Sequence, residues 1–258
     1  MIRIPGIMNH SRHWLWLILL ITAPVLAADN EAPQLRALID IPVAGSLQRG
    51  ELAIDTRAYA NGGVLTGMTI GLMNRLMVGV YYGGENILGN GDVNWNPSPG
   101  VDARLRLLDE NFALPAISIG YSNQGYGAWL PGRHRYSIKP RGFYAVASRN
   151  YWLLGNFGIH GGVNYSLEHS DRDEDINVFV GINKSILHLV EILLEYDFAF
   201  NDNEKQTVGD THGYLNFGVR WNVSANFATE IDFKNLANNR RQDKDITRIL
   251  QFSFRHTF

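Results

Sequence analysis

The 258-residue sequence contains no cysteine and only one long apolar run. Without cysteine, the chain forms no disulfide, holds no thiolate metal site and is not a lipoprotein. After residue 26, no stretch is long and apolar enough for a membrane-spanning helix of about 20 residues. The hydrophobic content of 45% and the mean hydropathy of −0.13 therefore leave two classes open. These are a secreted all-β protein and a membrane β-barrel, in which alternation dilutes the lipid-facing residues.

Neither sign of charge dominates. The chain has 23 basic and 25 acidic residues, a formal charge of −2. Removing residues 1–27 takes away two arginines and no acid, which moves the charge to −4 (21 basic against 25 acidic residues). This balance excludes a broadly basic surface, so we predict no nucleic-acid partner. Cofactor motifs are absent and the histidines are scattered, so we predict no cofactor and no metal.

Residues 1–27 have the three parts of a secretory signal peptide. Arg3 and Arg12 precede an apolar run over residues 14–26, and the small residue Ala27 follows it. The run is shorter than the roughly 20 residues that a membrane-spanning helix needs. We therefore predict a cleaved signal peptide over residues 1–27, a periplasmic leader over residues 28–49 and an outer-membrane β-barrel over residues 50–258.

The C-terminal segment, residues 247–258, alternates between aromatic and polar residues. Phe252 and Phe254 point to one side of a strand, and Gln251 and Ser253 point to the other. The chain stops on Phe258, and a C-terminal aromatic residue is the feature that the outer-membrane assembly machinery usually reads. We therefore predict Phe258 as an assembly signal and the barrel-assembly machinery as a partner.

Similar alternation upstream predicts an all-β fold, a transmembrane antiparallel barrel of about twelve strands. Every second connection is short, and the others, except the first, are longer and rich in turn-forming residues. A barrel sorts its connections in this way when short turns lie on one rim and long loops on the other, with both termini on the short-turn side. The predicted strands are 50–60, 64–73, 76–84, 101–108, 115–122, 142–151, 156–167, 175–183, 189–200, 213–221, 226–236 and 247–258.

The polar side of the strands supplies the candidate lumen residues. A Lys or Arg on the lipid-facing side costs about 2 to 4 kcal/mol at mid-depth, so charged side chains must face inward. These charges either pair to fill a closed lumen or line a narrow water-filled pore. The predicted lumen-facing residues are Asp55, Arg57, Asp102, Arg104, Arg106, His160, Asn164, Glu195, Asp197, Arg220, Glu230, Asp232, Lys234 and Arg255.

Several glycine-rich and turn segments resemble the YjbH-like outer-membrane barrels. The resemblance implies a barrel fold and a role in exopolysaccharide or capsule secretion, although the chain lacks the lipid-bearing cysteine of the larger family members and is much shorter. The matching segments are 41–50 (IPVAGSLQRG), 61–63 (NGG), 80–84 (VYYGG), 89–97 (GNGDVNWNP), 142–150 (GFYAVASRN), 160–165 (HGGVNY), 195–202 (EYDFAFND) and 233–239 (FKNLANN).

These observations predict a porin-like protein of the Gram-negative outer membrane, with both termini periplasmic. The first hypothesis is a narrow conduit or accessory component in surface polysaccharide export, with outer-membrane lipid, lipopolysaccharide and polysaccharide or export partners. The second is a non-conducting barrel that binds partners through its external loops. The third is a lipid-modifying hydrolase. It lacks support because the residue two positions after His160 is Gly162, so no serine follows His160 at that spacing on its strand, and we predict no enzyme activity.

Overall fold

The computed structural model describes residues 34–186, 189–242 and 245–258. The predicted signal peptide and the first residues of the predicted leader lie outside the described residues. Among the described residues, no helix has the length and apolarity needed to cross a membrane.

Twelve long strands form the wall of a barrel within the described residues. Their alternating side chains, with branched and aromatic residues on one side, fit a pleated strand whose two faces meet different surroundings. The strands are β1 Glu51–Tyr59, β2 Gly63–Met73, β3 Leu76–Glu85, β4 Gly100–Leu108, β5 Ala116–Ser122, β6 Gly142–Trp152, β7 Asn156–Tyr165, β8 Asn177–Ile186, β9 Val190–Asp197, β10 Tyr214–Asn222, β11 Phe227–Lys234 and β12 Thr247–Thr257.

Each strand pairs antiparallel with its neighbours in sequence, and β12 returns to pair with β1. In that closing pair, Glu51 lies opposite Thr257 and Ala58 opposite Leu250. Closure satisfies the backbone hydrogen bonds of both edge strands, which is what a strand-built wall needs in an apolar solvent. The prediction of an antiparallel barrel of about twelve strands is confirmed.

The two faces of the wall have reversed polarity compared with a soluble protein. On β12, Phe252 and Phe254 are 39% and 43% exposed, whereas Gln251 and Ser253 are buried. On β11, Ile231 is 50% exposed, whereas its neighbours Glu230 and Asp232 are buried. The same alternation recurs around the wall. An apolar outer face around a polar interior is the arrangement of a membrane-spanning barrel.

The connections also divide by length as predicted. Between β2 and β3 only residues 74–75 intervene, whereas residues 86–99 join β3 to β4. We call the two ends of the barrel the short-turn rim and the long-loop rim. Residue 51 at the start of β1 and residue 257 at the end of β12 lie at the short-turn rim.

Some predicted strand limits were wrong. The ninth strand ends at Asp197 rather than at residue 200, because Ala199 has a left-handed backbone (φ 52°) and a 3-10 turn, Phe200–Asp202, follows it. The predicted loop between β5 and β6 holds a hairpin of its own, Tyr126–Leu130 and Arg135–Ile138. A third short strand, Asn94–Trp95, pairs with the end of β3.

The leader differs most from its prediction. We predicted a periplasmic leader over residues 28–49, and the described part of it, from residue 34, lies inside the barrel. Leu38, Ile39 and Ile41 are at most 1% exposed. They pack with inward-facing wall residues such as Phe179 and Leu193 in the main apolar cluster of the protein. Burial of this apolar surface explains why the segment leaves water for the lumen.

Candidate functional site

The candidate site is the lumen, which residues 34–50 fill; we call this segment the plug. Its two ends lie near the short-turn rim, where Arg255 near the end of β12 donates to the carbonyl of Gln34 (2.6 Å). Its middle forms a tight turn with an antiparallel bridge between Ala37 and Pro42. The turn reaches residues near the long-loop ends of β1 and β11. The plug therefore runs up most of the lumen and back again.

Wall side chains hold the plug largely through its main chain. The carboxylate of Glu195 accepts three successive backbone N–H groups, those of Ile39, Asp40 and Ile41, each at 3.0 Å. Hydrogen bonds of this kind to an ionised acceptor are stronger than neutral ones. The bonds also satisfy donors that would otherwise be buried without a partner.

Two arginines on β4 bind the carbonyl groups on the other side of the plug. Arg104 donates to the carbonyls of Arg36, Val43 and Gly45 at 2.7 to 2.9 Å. Arg106 donates to the carbonyl of Ala44 from two of its nitrogens, at 2.7 and 3.0 Å. The plug thus lies between a carboxylate that accepts its N–H groups and guanidinium groups that donate to its carbonyls.

Asp40, at the tip of the plug, forms ion pairs with side chains of the wall. Its carboxylate pairs with Arg57 of β1 (2.8 Å) and with Lys234 of β11. Arg141 reaches the Asp40 carbonyl (3.4 Å). Because Asp40 and Lys234 are both buried, breaking this pair would leave an uncompensated charge.

Apolar side chains of the plug also pack against the wall at positions where glycine leaves room for them. A Cβ atom at Gly181 of β8 would lie 2.4 Å from Leu38 and 2.8 Å from Ile41. Gly218 on β10 likewise faces Ile39. A residual cavity of about 100 Å³ remains beside the plug, with Arg36, Asp55 and Arg104 among its lining residues.

The structure places the fourteen predicted lumen residues on the inner face, and they fall into two groups. Seven contact the plug: Asp55 (through Arg36), Arg57, Arg104, Arg106, Glu195, Lys234 and Arg255. The other seven, which we call the wall group, are also buried on the inner face of the strands: Asp102, His160, Asn164, Asp197, Arg220, Glu230 and Asp232. Among the wall group, Arg220 pairs with Glu230 (3.5 Å) and Asp197 pairs with Arg141.

His160 has partners that its own strand does not supply. Its Nδ1 lies 2.8 Å from Ser148 Oγ, and its Nε2 lies 2.9 Å from Asn183 Oδ1. This is the order of groups in a Ser–His–Asn relay. However, Ser148 is 5% exposed and its Oγ also accepts the N–H of Ala44 in the plug (2.8 Å). A substrate carbonyl has no access to this serine while the plug is in place.

The hairpin at the long-loop rim covers the lumen; we call residues 123–141 the lid. Arg135 is fully buried and pairs with Asp171 (2.5 Å) and Asp202 (2.6 Å) from the two neighbouring long loops. Lys139 also pairs with Asp171 (2.7 Å). At its inner end, the ring of Tyr126 lies 4.3 Å from the guanidinium of Arg57. The lid therefore contacts a residue that holds the plug tip.

Two carboxyl groups under the lid have perturbed ionisation. Burial raises the pKa of Glu168 to about 7, although its carboxylate accepts the N–H of Tyr136 at 3.2 Å. Burial acts in the same direction on Asp171, but Lys139 and Arg135 outweigh it and lower the pKa of Asp171. The loop between β7 and β8 thus presents to the lid one acid whose pKa is lowered and one whose pKa is near neutral.

We did not predict the plug, Ser148, Asn183 or the lid contacts from the sequence. The plug did leave a signal: Leu35, Ile39 and Val43 make the segment more apolar than a solvated leader. Ser148 lies directly opposite His160 across the β6–β7 pair, so only the strand register could have joined them. Within the described residues, no group of three or more His, Asp or Glu side chains is arranged to hold a metal ion.

No protein-family model matches the chain, and no curated protein matches it. Among solved structures, the KdgM porin aligns with 81% of this chain and 99% of its own length at a TM-score of 0.47 and 9% identity. The NanC porin aligns with 80% and 99% at 0.46 and 9% identity. The outer membrane protein Omp33 of Acinetobacter baumannii aligns with 81% and 97% at 0.44 and 13% identity. Scores this low are not evidence for a shared solute. The resemblance to YjbH-like barrels stays a prediction.

Proposed function

We propose that the chain is a conduit for saccharide chains in a bacterial outer membrane, closed at rest by its own plug. The observation that carries this proposal is the independence of wall and plug. All twelve strand pairings, including β1 with β12, are made between wall strands. The plug adds no strand to the wall, so its departure would leave every barrel hydrogen bond in place.

The nature of the contact supports a plug that can leave. It is attached mainly by hydrogen bonds and ion pairs to residues such as Glu195, Arg104 and Lys234. Water or a polar solute can replace each of these interactions, because polar groups exchange one hydrogen-bond partner for another at little net cost. An emptied lumen would present these same side chains to a passing solute.

A non-conducting barrel is the second candidate. The apolar cluster between the plug and the wall, which includes Leu38, Ile41 and Phe179, favours it. Fully burying a large apolar side chain contributes about 1.5 to 3 kcal/mol, so several of them would hold the plug firmly. On the resemblance to YjbH-like barrels, we also propose that the conduit serves the export of surface polysaccharide.

Planar-bilayer conductance tests the conduit. The chain has no cysteine, so Ala44→Cys with Ser148→Cys introduces a single cysteine pair between the plug and the wall. In the native protein, the backbone nitrogen of Ala44 lies 2.8 Å from Ser148 Oγ. We expect the oxidised, cross-linked protein to be silent, and the reduced protein to show discrete steps. Asp40→Ala, which removes the tip ion pairs, should open more often than the wild type.

The matched control is Asp92→Ala, which removes the same charge from an exposed residue of the connection between β3 and β4. It should leave the conductance unchanged. If the reduced protein and Asp40→Ala stay silent, while a heat-dependent gel shift shows folded barrels, the conduit is refuted and the non-conducting barrel is favoured.

A further inference from the structure

A second cavity, larger than the one beside the plug, lies at the long-loop rim. It has a volume of about 580 Å³ and opens between the lid, the β1–β2 turn and the loops that follow β9 and β11; we call it the vestibule. This volume is in the range of small-molecule sites, about 300 to 1,000 Å³.

The vestibule is cationic in a protein that is acidic overall. Five basic side chains from four elements line it, and Glu85 is its only acidic lining residue within the described part of the chain. One of the five, Arg241, pairs with Asp210 (3.3 Å). Ser137, Thr207 and Thr247 also line it, and the hydroxyls of Ser137 and Thr207 donate to the backbone carbonyls of Ala128 and Glu204. Basic groups attract an anion, and hydroxyl groups bind the hydroxyls of a sugar. The basic residues are Arg133, Lys205, Lys234, Arg240 and Arg241.

Lys234 connects the vestibule to the plug. It lines the vestibule, and its ammonium group also pairs with Asp40 at the plug tip. It lies 5.5 Å from the centre of the Tyr126 ring in the lid, and the Arg57 guanidinium lies 4.3 Å from the same ring. The residue that would receive an anion from outside is thus also the residue that holds the plug from above.

We propose that the vestibule binds a carboxylate-bearing saccharide, one of whose carboxylates competes with Asp40 for Lys234 and so loosens the plug. This inference rests on the proposed function, since it gives the conduit its solute class and its opening signal. The competition conserves charge: Lys234 exchanges one carboxylate for another, and Asp40 keeps Arg57. The loss of one contact at the tip weakens the plug without unfolding it.

Calorimetry on the full-length barrel in detergent at low salt tests the binding. We expect trimannuronate to bind and maltotriose, a neutral sugar of the same length, to bind at least about tenfold more weakly. Lys205→Glu should weaken trimannuronate binding about tenfold. Arg172→Glu makes the same charge change on an exposed loop residue outside the vestibule lining and should leave the affinity within about twofold.

Two binding outcomes would overturn the proposal. Equal affinity for trimannuronate and maltotriose would remove the anionic requirement. Inorganic pyrophosphate binding as tightly as trimannuronate would show a general anion site, the kind that lipopolysaccharide phosphates also fill, and would overturn the assignment to a carboxylated saccharide.

Hydrogen exchange of the plug tests the coupling. Saturating trimannuronate should speed exchange of the amides of Ile39, Asp40 and Ile41 about tenfold, and maltotriose should not. Unchanged exchange at saturation would overturn the competition with Asp40. These assays need no membrane current, so they separate the two proposals. Conductance without binding would refute the site alone, and binding without conductance would refute the conduit alone.

Discussion

The wall holds the plug mainly through the plug's main chain, whereas the lid is fixed to its neighbours by side-chain charges. Glu195, Arg104 and Arg106 contact backbone N–H and C=O groups of the plug. Arg135 and Lys139 of the lid instead pair with carboxylates of adjacent loops. Asp40 and Arg36 are exceptions in the plug, because the side chain of Asp40 pairs with Arg57 and Lys234 and that of Arg36 pairs with Asp55.

This difference predicts how the plug and the lid respond to substitutions and to pH. Main-chain hydrogen bonds survive most substitutions within the plug, so the wall residues determine its stability. A buried side-chain ion pair fails when either partner is lost, because the other charge stays buried. The lid should therefore be more sensitive to single substitutions and to pH than the plug.

The largest effect is expected from Arg135→Ala in the lid. It leaves the carboxylates of Asp171 and Asp202 buried without their shared partner, a change that costs about 3 to 5 kcal/mol. Hydrogen exchange of residues 126–138 should accelerate accordingly. Arg172→Ala, on the neighbouring loop and exposed, is the matched control. If the lid amides of Arg135→Ala exchanged as slowly as those of the wild type, the ion pairs of Arg135 would not be what holds the lid.

A smaller effect is expected from Glu195→Gln on the wall. The amide keeps one acceptor oxygen and loses the charge that strengthens three N–H bonds, which costs about 2 kcal/mol of plug docking. Glu191→Gln changes a buried carboxylate on the same face of β9, nearer the short-turn rim. If both variants loosened the plug equally in hydrogen exchange, Glu195 would not be the residue that holds it.

Raising the pH should weaken the lid before the plug. Burial raises the pKa of Glu168 to about 7, so the closed lid holds this proton between the ordinary glutamate value near 4.5 and pH 7. A raised folded-state pKa of an acid makes the closed form lose stability as pH rises through that window. Lid protection should thus fall from pH 5 to pH 7.5 and be flat in Glu168→Gln. The same slope in both proteins would exclude Glu168 as the titrating group.

The smallest effect is expected at Tyr126, where the lid contacts Arg57, the partner of Asp40 at the plug tip. Tyr126→Ala removes a ring 4.3 Å from the Arg57 guanidinium, a contact worth about 1 kcal/mol. Tyr126→Phe keeps the ring and should behave as the wild type. If Tyr126→Ala loosened the lid and left plug exchange unchanged, the two closures would be independent.

Local pattern accounts for the wall. Residues such as Phe252 and Gln251 alternate with a period of two, and a period of two places them on opposite faces whatever the rest of the chain does. Connection lengths then separated the two rims and limited the strand count to about twelve. The same alternation assigned the inward charges, including Glu195 and Lys234, without assigning their partners.

The partners of these inward-facing side chains could be identified only from the strand register and from the closure of the barrel. Ser148 and His160 meet because β6 and β7 pair in one particular alignment. Asp40 meets Lys234, almost two hundred residues away, because the closed wall surrounds a space that the leader can enter. Neither contact has a local pattern.

The sequence by itself determined an inside-out barrel, because alternation, turn chemistry and the cost of a charge in lipid act on neighbouring residues. Only the tertiary structure decided what fills that barrel. The apolar residues of the leader gain more by burial than by exposure, and the unpaired N–H and C=O groups of the segment need partners. The lumen provides both, in Phe179 and Leu193 for the apolar surface and in Glu195 and Arg104 for the backbone.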